Sequence, residues 1–173
     1  VVCNDCLVSF SLLTYNHDSL NYGFSKIKLI RPVNSSAYDC ILNDTVNQLK
    51  YLFGLKSGDR AEAKLDFPVN HIRFEGVKNN LDQNKFTVNG VILENDSAGI
   101  IYHVVGVNGA HFVDFNRAPL FFKQTALVEP DIFILSLGTN EGVNPRVTKQ
   151  EILVAVENVI DKFRNYNPNV PIV

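Results

Sequence analysis

The spacing of apolar residues changes near residue 98, and this change most constrains how the chain folds. Before it, short segments such as "KLDFP" and "HIRFEGV" alternate apolar and polar residues and are separated by polar turns. Such alternation is typical of strands with one buried and one solvated face. After it, runs such as "IFILSL" are apolar without alternation, and helical spacing follows. The sequence therefore predicts an α+β protein with two domains, residues 1–97 and 98–173.

The first part is predicted to be an antiparallel β-sandwich of jelly-roll type, because short two-periodic strands and polar turns recur along it. Leu65 and Phe67 are expected to face the interior, and Asn89-Gly90 favours a type I′ hairpin if the runs on either side of it pair. Six aromatic residues are candidates either for the core, which we favour, or for a sugar-stacking platform. They are Tyr15, Tyr22, Phe24, Tyr38, Tyr51 and Phe53.

The second part is predicted to contain a parallel sheet covered by helices, because its apolar runs lack a polar face. One of these runs is "GIIYHVVGVNGA", and His103 within it is expected to be a core histidine. Thr148 and Glu151 form a T-x-x-E capping box, which predicts a helix that ends at Asn167-Pro168. This helix would join parallel strands at 133–137 and 171–173 in a βαβ unit.

Composition excludes several classes of protein. The 16 basic and 18 acidic residues give a net charge of -2 without a basic cluster, so no nucleic-acid partner is predicted. No apolar stretch is long enough to span a membrane, and the first residues lack the features of a signal peptide. The chain begins with Val and contains no Met, so we expect it to be a piece of a longer protein.

The cysteines do not predict a metal site. Cys3 and Cys6 form a single C-x-x-C pair with no second pair and no His at ligand spacing, which argues against zinc. The third cysteine, Cys40, stands alone in the sequence. No cofactor is predicted.

Two glycine-asparagine clusters, "GVNGA" at 106–110 and "GTNEG" at 138–142, follow two successive apolar runs. In open α/β sheets, ligands bind at the carboxyl ends of the strands. A glycine N–H and the Asn140 amide are suitable donors to a developing oxyanion, although Asn140 alone would be read as a turn cap. Glu141 either holds the loop by accepting backbone N–H bonds or is solvated, and His111 is either a surface histidine or a substrate contact.

The clusters and the run between them, "YHVVGVNGAHF" and "FFKQTALVEPDIFILSLGTNEG", resemble the middle of an SGNH (GDSL-type) hydrolase. This resemblance implies a flavodoxin-like three-layer α/β domain, a serine esterase activity and no metal. Gly109 matches the oxyanion-hole glycine of the second signature block, and Asn140 matches the asparagine of the third. Gly138, Thr139 and Glu141 would form the supporting loop.

The resemblance is greatest to bacterial O-acetylesterases, some of which carry an inserted β-sandwich similar to a carbohydrate-binding module. It implies an acylated carbohydrate or a small ester as substrate, and a periplasmic or secreted location. Two signature blocks have no match, because the sequence contains neither a G-D-S nucleophile motif nor a D-x-x-H motif. We therefore expect the chain alone to be inactive. The alternatives are a non-catalytic carbohydrate-binding or interaction module and an α/β domain with a different chemistry.

Overall fold

The computed structural model describes residues 8–15, 22–32, 36–44, 49–53 and 59–173, with the backbone alone for 49–53. It is an α+β structure that divides into two compact units, Val1–Gly99 and Ile100–Val173. The strands are β1 (Val8–Leu13), β2 (Phe24–Ile30), β3 (Asp39–Asp44), β4 (Leu49–Phe53), β5 (Arg60–Val69), β6 (His71–Val77) and β7 (Gly90–Glu94). The helices are α1 (Phe112–Arg117), α2 (Phe121–Ala126), α3 (Thr139–Gly142) and α4 (Lys149–Tyr166).

The first unit contains two antiparallel sheets, which confirms the predicted antiparallel pairing. One sheet has the strand order β1-β6-β3-β4, and the other has the order β5-β2-β7. Alternate residues of both sheets, including Leu42 and Phe74 in one and Ile27 and Leu29 in the other, belong to a single buried cluster. The apolar faces of the two sheets therefore share one core.

Cys40 belongs to this core and is 1 % exposed. Burial raises the pKa of its thiol to about 11, because the charged thiolate would lose its hydration. The neutral thiol thus behaves as a small apolar side chain at neutral pH. Cys3 and Cys6 lie outside the described residues.

The aromatic residues of this unit divide between the core and the surface. Phe24 and Tyr38 are buried, as expected of core residues, whereas Tyr15 is 77 % exposed and Tyr22 is 48 % exposed. The side chains of Tyr51 and Phe53 are outside the described part of the structure.

Phe67 was expected in the core, and this expectation is wrong, because Phe67 is 68 % exposed. The pairing of β2 with β5 changes register between Phe24, which pairs with Val69, and Lys26, which pairs with Lys64. Extra residues of β5 therefore bulge out of the ladder between these two pairs, and the inward and outward alternation is lost there. Pro68, which has no N–H to donate to a ladder, lies within the bulge.

The condition for a type I′ hairpin at Asn89-Gly90, pairing of the runs on either side, is not met. The N–H of Asn89 donates to the carbonyl oxygen of Ile30 at 2.8 Å, and Gly90 begins β7 opposite Ile30. The pair therefore leads the chain into a strand beside β2, and the flanking runs do not pair with each other.

Gly76 leaves no room for a side chain. A Cβ at this position would lie 2.8 Å from Cδ2 of Phe86, whereas a Cβ at Gly90 would lie no closer than 3.8 Å to Ile30. We expect Gly76→Ala to lower the free energy of unfolding by about 1–3 kcal/mol, the usual range for overpacking. Gly90→Ala is the matched control, and it should be neutral or stabilising by up to about 1 kcal/mol. Urea denaturation measures both, and equal effects would contradict the predicted clash.

The second unit is organised around α4, which begins after Thr148 and ends before Asn167, as the sequence predicts. One face of α4 contributes Ala155, Val159 and Phe163 to a buried cluster. Phe122 from α2 stacks edge-on against Phe163, with ring centroids 4.9 Å apart. No helix of the described residues combines the length and the apolar character needed to cross a membrane.

The predicted parallel pairing around α4 is confirmed by a parallel bridge between Phe133 and Ile172. The N–H of Phe133 donates to the carbonyl oxygen of Pro171, and the N–H of Val173 donates to that of Phe133, each at 2.9 Å. Phe133, like Leu135, packs against the buried cluster.

The expected burial of these runs on both faces is wrong. Ile132 and Ile134 are 50 % and 64 % exposed, so only the face of this run that packs against the helical cluster is covered. The run at 100–107 carries no strand, and all its residues are exposed. His103 is therefore an exposed histidine and not a core residue.

The capping box of α4 predicts a pH effect. Glu151 accepts hydrogen bonds from the backbone N–H and the hydroxyl of Thr148 at 2.7 and 2.8 Å, and these bonds lower the pKa of Glu151 below its ordinary value. A lowered pKa means that the bonds stabilise α4 above the ordinary Glu pKa and that this stabilisation is lost as the pH falls through the folded-state pKa. NMR titration of the Glu151 carboxyl carbon should show the lowered pKa, and Thr148→Ala should raise it part of the way. A midpoint at or above the ordinary value would contradict the box.

Candidate functional site

The two glycine-asparagine clusters lie side by side in the second unit. The side-chain amide Nδ2 of Asn140 donates to the carbonyl oxygen of Ala110 at 2.8 Å, although the two residues are 30 positions apart in the chain. Ala110 directly follows Gly109, so the amide that resembles one oxyanion donor is bonded next to the glycine that resembles the other. Ala110 itself is buried, and its N–H donates to the carbonyl oxygen of Val107 at 3.0 Å.

Both glycines have positive φ angles, which explains why glycine stands at these positions. Gly109 has φ 80°, and Gly138 has φ 109°. A side chain at either position would be strained. Gly109 is exposed, and no acceptor for its N–H lies among the residues that the structure describes. Its N–H is thus available for an external acceptor.

Gly138 ends the apolar run and is the N-cap residue of α3, which places Thr139, Asn140 and Glu141 in a single helical turn. The turn is closed by the N–H of Gly142, which donates to the carbonyl oxygen of Gly138 at 2.8 Å. Thr139 is exposed, Asn140 is partly buried and Glu141 is buried. The turn therefore directs three polar side chains into three different environments.

Glu141 is an acceptor within the site. It is 5 % exposed, and its Oε1 accepts the backbone N–H of Phe112 at 2.6 Å. Its Oε2 is buried and has no hydrogen-bond partner among the described residues. Of the two expectations for Glu141, the geometry matches acceptance of a backbone N–H and not solvation.

His111 lies between Ala110, which is bonded to Asn140, and Phe112, which is bonded to Glu141. It directly precedes α1. Its backbone N–H donates to Oδ2 of Asp114 at 2.9 Å, and its Nδ1 lies 3.5 Å from the same oxygen. The side chain is partly exposed. His111 is thus the N-cap residue of α1, and its contacts are with Asp114.

The arrangement offers neutral hydrogen-bond donors. The amide of Asn140 carries two hydrogens, of which one is directed at Ala110, and Gly109 presents a backbone N–H. Neutral donors of this kind stabilise negative charge on an oxygen. Within the described ranges, no group of three or more His, Cys, Asp or Glu residues is placed to hold a metal ion.

An open groove lies elsewhere in this unit, between α1 and α4. Its volume is about 680 Å³, and its lining includes Asn116, Arg117 and Lys162 but neither Gly109 nor Asn140. The candidate donors are therefore not part of this groove.

Sequence reasoning identified the two clusters but missed the groups that hold them together. The partners of Asn140 and Glu141 are the carbonyl oxygen of Ala110 and the N–H of Phe112, which are backbone atoms. Every residue carries such atoms, so no residue type marks them in the sequence.

Comparison with known proteins does not assign the chain to a family. No protein-family model matches the sequence, and no curated protein matches it. The resemblance to SGNH hydrolases thus depends on the two short motifs and on their order in the chain.

Proposed function

We propose that the second unit supplies the oxyanion-stabilising part of a serine esterase of the SGNH type. In this proposal the Gly109 N–H and the Asn140 amide donate to the oxyanion that forms when a serine attacks an ester carbonyl. The observation that carries the proposal is the hydrogen bond from Asn140 Nδ2 to Ala110, because it joins the two motifs of the resemblance.

The proposed parent protein is longer than this chain. The nucleophilic serine and the D-x-x-H motif would come from segments before and after the residues printed here. The first unit would be an inserted β-sandwich of jelly-roll type, similar to a carbohydrate-binding module, and the second would be part of a flavodoxin-like three-layer domain. The substrate would be an O-acetyl group on a glycan or on peptidoglycan, in the periplasm or outside the cell.

An activity assay on the parent open reading frame, extended at both ends, tests this function. Acetate release from an acetylated glycan and hydrolysis of a short-chain aryl ester should both be blocked by a serine-reactive phosphonate. The 173-residue chain should show no phosphonate-sensitive turnover, because its sequence lacks the G-D-S and D-x-x-H motifs. Insensitivity of the parent to the phosphonate, or serine-dependent turnover by the chain alone, would refute the assignment.

A second candidate function is favoured by the exposed aromatic rings of the first unit, which include Tyr15, Tyr22 and Phe67. Exposed aromatic faces can stack on the apolar faces of sugar rings, so this unit would be a non-catalytic carbohydrate-binding module. Co-sedimentation of the chain with insoluble polysaccharide tests this function. Retention that Tyr15→Ala weakens, without esterase activity in the parent, would favour this second function over the first.

A further inference from the structure

Residues 109–112, here called the 109–112 turn, run from Gly109 to the first residue of α1. Two consecutive residues of α3 bind this turn. Asn140 donates through Nδ2 to the carbonyl oxygen of Ala110 at 2.8 Å. Glu141 accepts through Oε1 the N–H of Phe112 at 2.6 Å. The first hydrogen bond binds a backbone acceptor, and the second binds a backbone donor two residues later. A shift of the turn relative to α3 would therefore break at least one of these bonds.

Glu141 is the member of this pair with the higher cost of burial. It is the buried residue of α3, and a carboxylate is removed from water only when other contacts compensate. A short hydrogen bond from a backbone N–H to a carboxylate is about twice as strong as one between neutral groups. The bond to Phe112 therefore offsets part of the cost of burying Glu141.

We propose that Glu141 is a positioning residue, which fixes the 109–112 turn so that the Gly109 N–H and the Asn140 amide converge on one oxygen. This inference rests on the proposed esterase function. Glu141 does not touch the reacting atoms, and it acts through the Phe112 N–H. Donor placement matters because a displacement of about 1 Å at a reacting centre can cost about 10²-fold in rate.

The different environments of the two carboxylate oxygens predict which side chains can replace Glu141 in the positioning role. Only Oε1 has a partner among the described residues, whereas Oε2 is buried without one. Glutamine has the same length and retains a carbonyl oxygen for the Phe112 N–H. Aspartate keeps the negative charge but is one methylene shorter and does not reach. The positioning role thus requires reach and an acceptor, and it does not require charge.

The test compares Glu141→Gln, Glu141→Asp and Glu141→Ala in the parent esterase. We expect Glu141→Gln to keep kcat within about threefold of wild type, since a neutral acceptor replaces a charged one. Glu141→Asp and Glu141→Ala should lower kcat by about tenfold or more while KM changes little, since the donors are misplaced in the transition state. Glu157→Ala, on the exposed face of α4, is the control and should leave kcat unchanged.

Amide hydrogen exchange at Phe112 in the 173-residue chain supplies a readout independent of activity. Exchange should be faster in Glu141→Asp than in wild type and close to wild type in Glu141→Gln. An active Glu141→Asp beside an inactive Glu141→Gln would show that charge is required and would overturn the positioning role. Wild-type kcat in Glu141→Asp would also overturn it. If the parent has no serine-dependent turnover, or if Asn140→Ala leaves kcat unchanged, the proposed esterase function itself fails. These results differ from the two that would overturn only the positioning role of Glu141.

Discussion

Replacement of Asn140 by Ala is expected to lower the kcat of the parent esterase by about 10²–10³-fold, the usual loss when one oxyanion donor is removed. The reason is that the amide is the donor carried by a side chain, whereas the Gly109 donor belongs to the backbone and survives most substitutions. KM should change much less than kcat, because the oxyanion exists only in the transition state and the intermediate.

The same substitution also removes the hydrogen bond to Ala110, so its structural effect must be measured separately. Asn140→Asp keeps the size of the side chain but removes the NH₂ group, and it should lose as much kcat as Asn140→Ala. Asn144→Ala is the matched control, because Asn144 lies in the next turn of the same loop and its Oδ1 accepts the N–H of Arg146. Thermal unfolding of each variant shows whether the fold is intact. A well-folded Asn140→Ala with wild-type kcat would leave Asn140 as a turn residue.

Phe163→Ala is expected to cause the largest loss of stability, about 3–5 kcal/mol in the free energy of unfolding of the second unit. Phe163 is 3 % exposed, and its ring lies 4.9 Å from that of Phe122 and 4.2 Å from that of Phe133. Its removal leaves a cavity at the point where α2, α4 and the parallel pair meet, and the aromatic neighbours are too rigid to fill it.

Tyr166→Ala is the control for this prediction, since Tyr166 lies three residues later on α4 and is 50 % exposed. Urea titration followed by the amide signals of α4 measures both variants, and Tyr166→Ala should cost about 0.5 kcal/mol or less. A similar loss in the two variants would mean that Phe163 is not the centre of the cluster.

The parts of the fold that depend on local signals could be predicted from the sequence. The ends of α4 follow from Thr148, Glu151 and Asn167, which act within one turn of the helix. The pairing of Phe133 with Ile172 follows from a strand, a helix and a strand in succession. Both predictions needed only residues that are close in the chain.

The parts that depend on distant partners could not be predicted. Asp39 and Asp44 of β3 are buried, although aspartate usually occupies a solvated position. The bulge that exposes Phe67 arises from the way β5 pairs with β2, which the sequence of β5 alone does not contain. An apolar run such as that containing Ile132 and Ile134 indicates burial on both sides only if helices cover both faces.

The candidate site shows the same division. The positions of Gly109 and Asn140 after two apolar runs predicted that their loops would meet, and Asn140 does contact the residue after Gly109. The role of Phe112 could not be predicted, since it acts through its backbone N–H and its ring is part of the buried cluster.

The strand order of the first unit has a consequence for the kinetics of folding. The strand β1 pairs with β6, and β2 pairs with β7. Both pairs therefore join strands that are far apart in the sequence. In the second unit, the segment between the paired residues Phe133 and Ile172 contains α3 and α4, and no strand of another sheet lies within it. Distant pairing requires large loops to close before any contact compensates the lost entropy, and it slows folding. The β-rich unit should therefore refold more slowly than the helical one, and its unpaired strand edges should stay exposed to aggregation for longer.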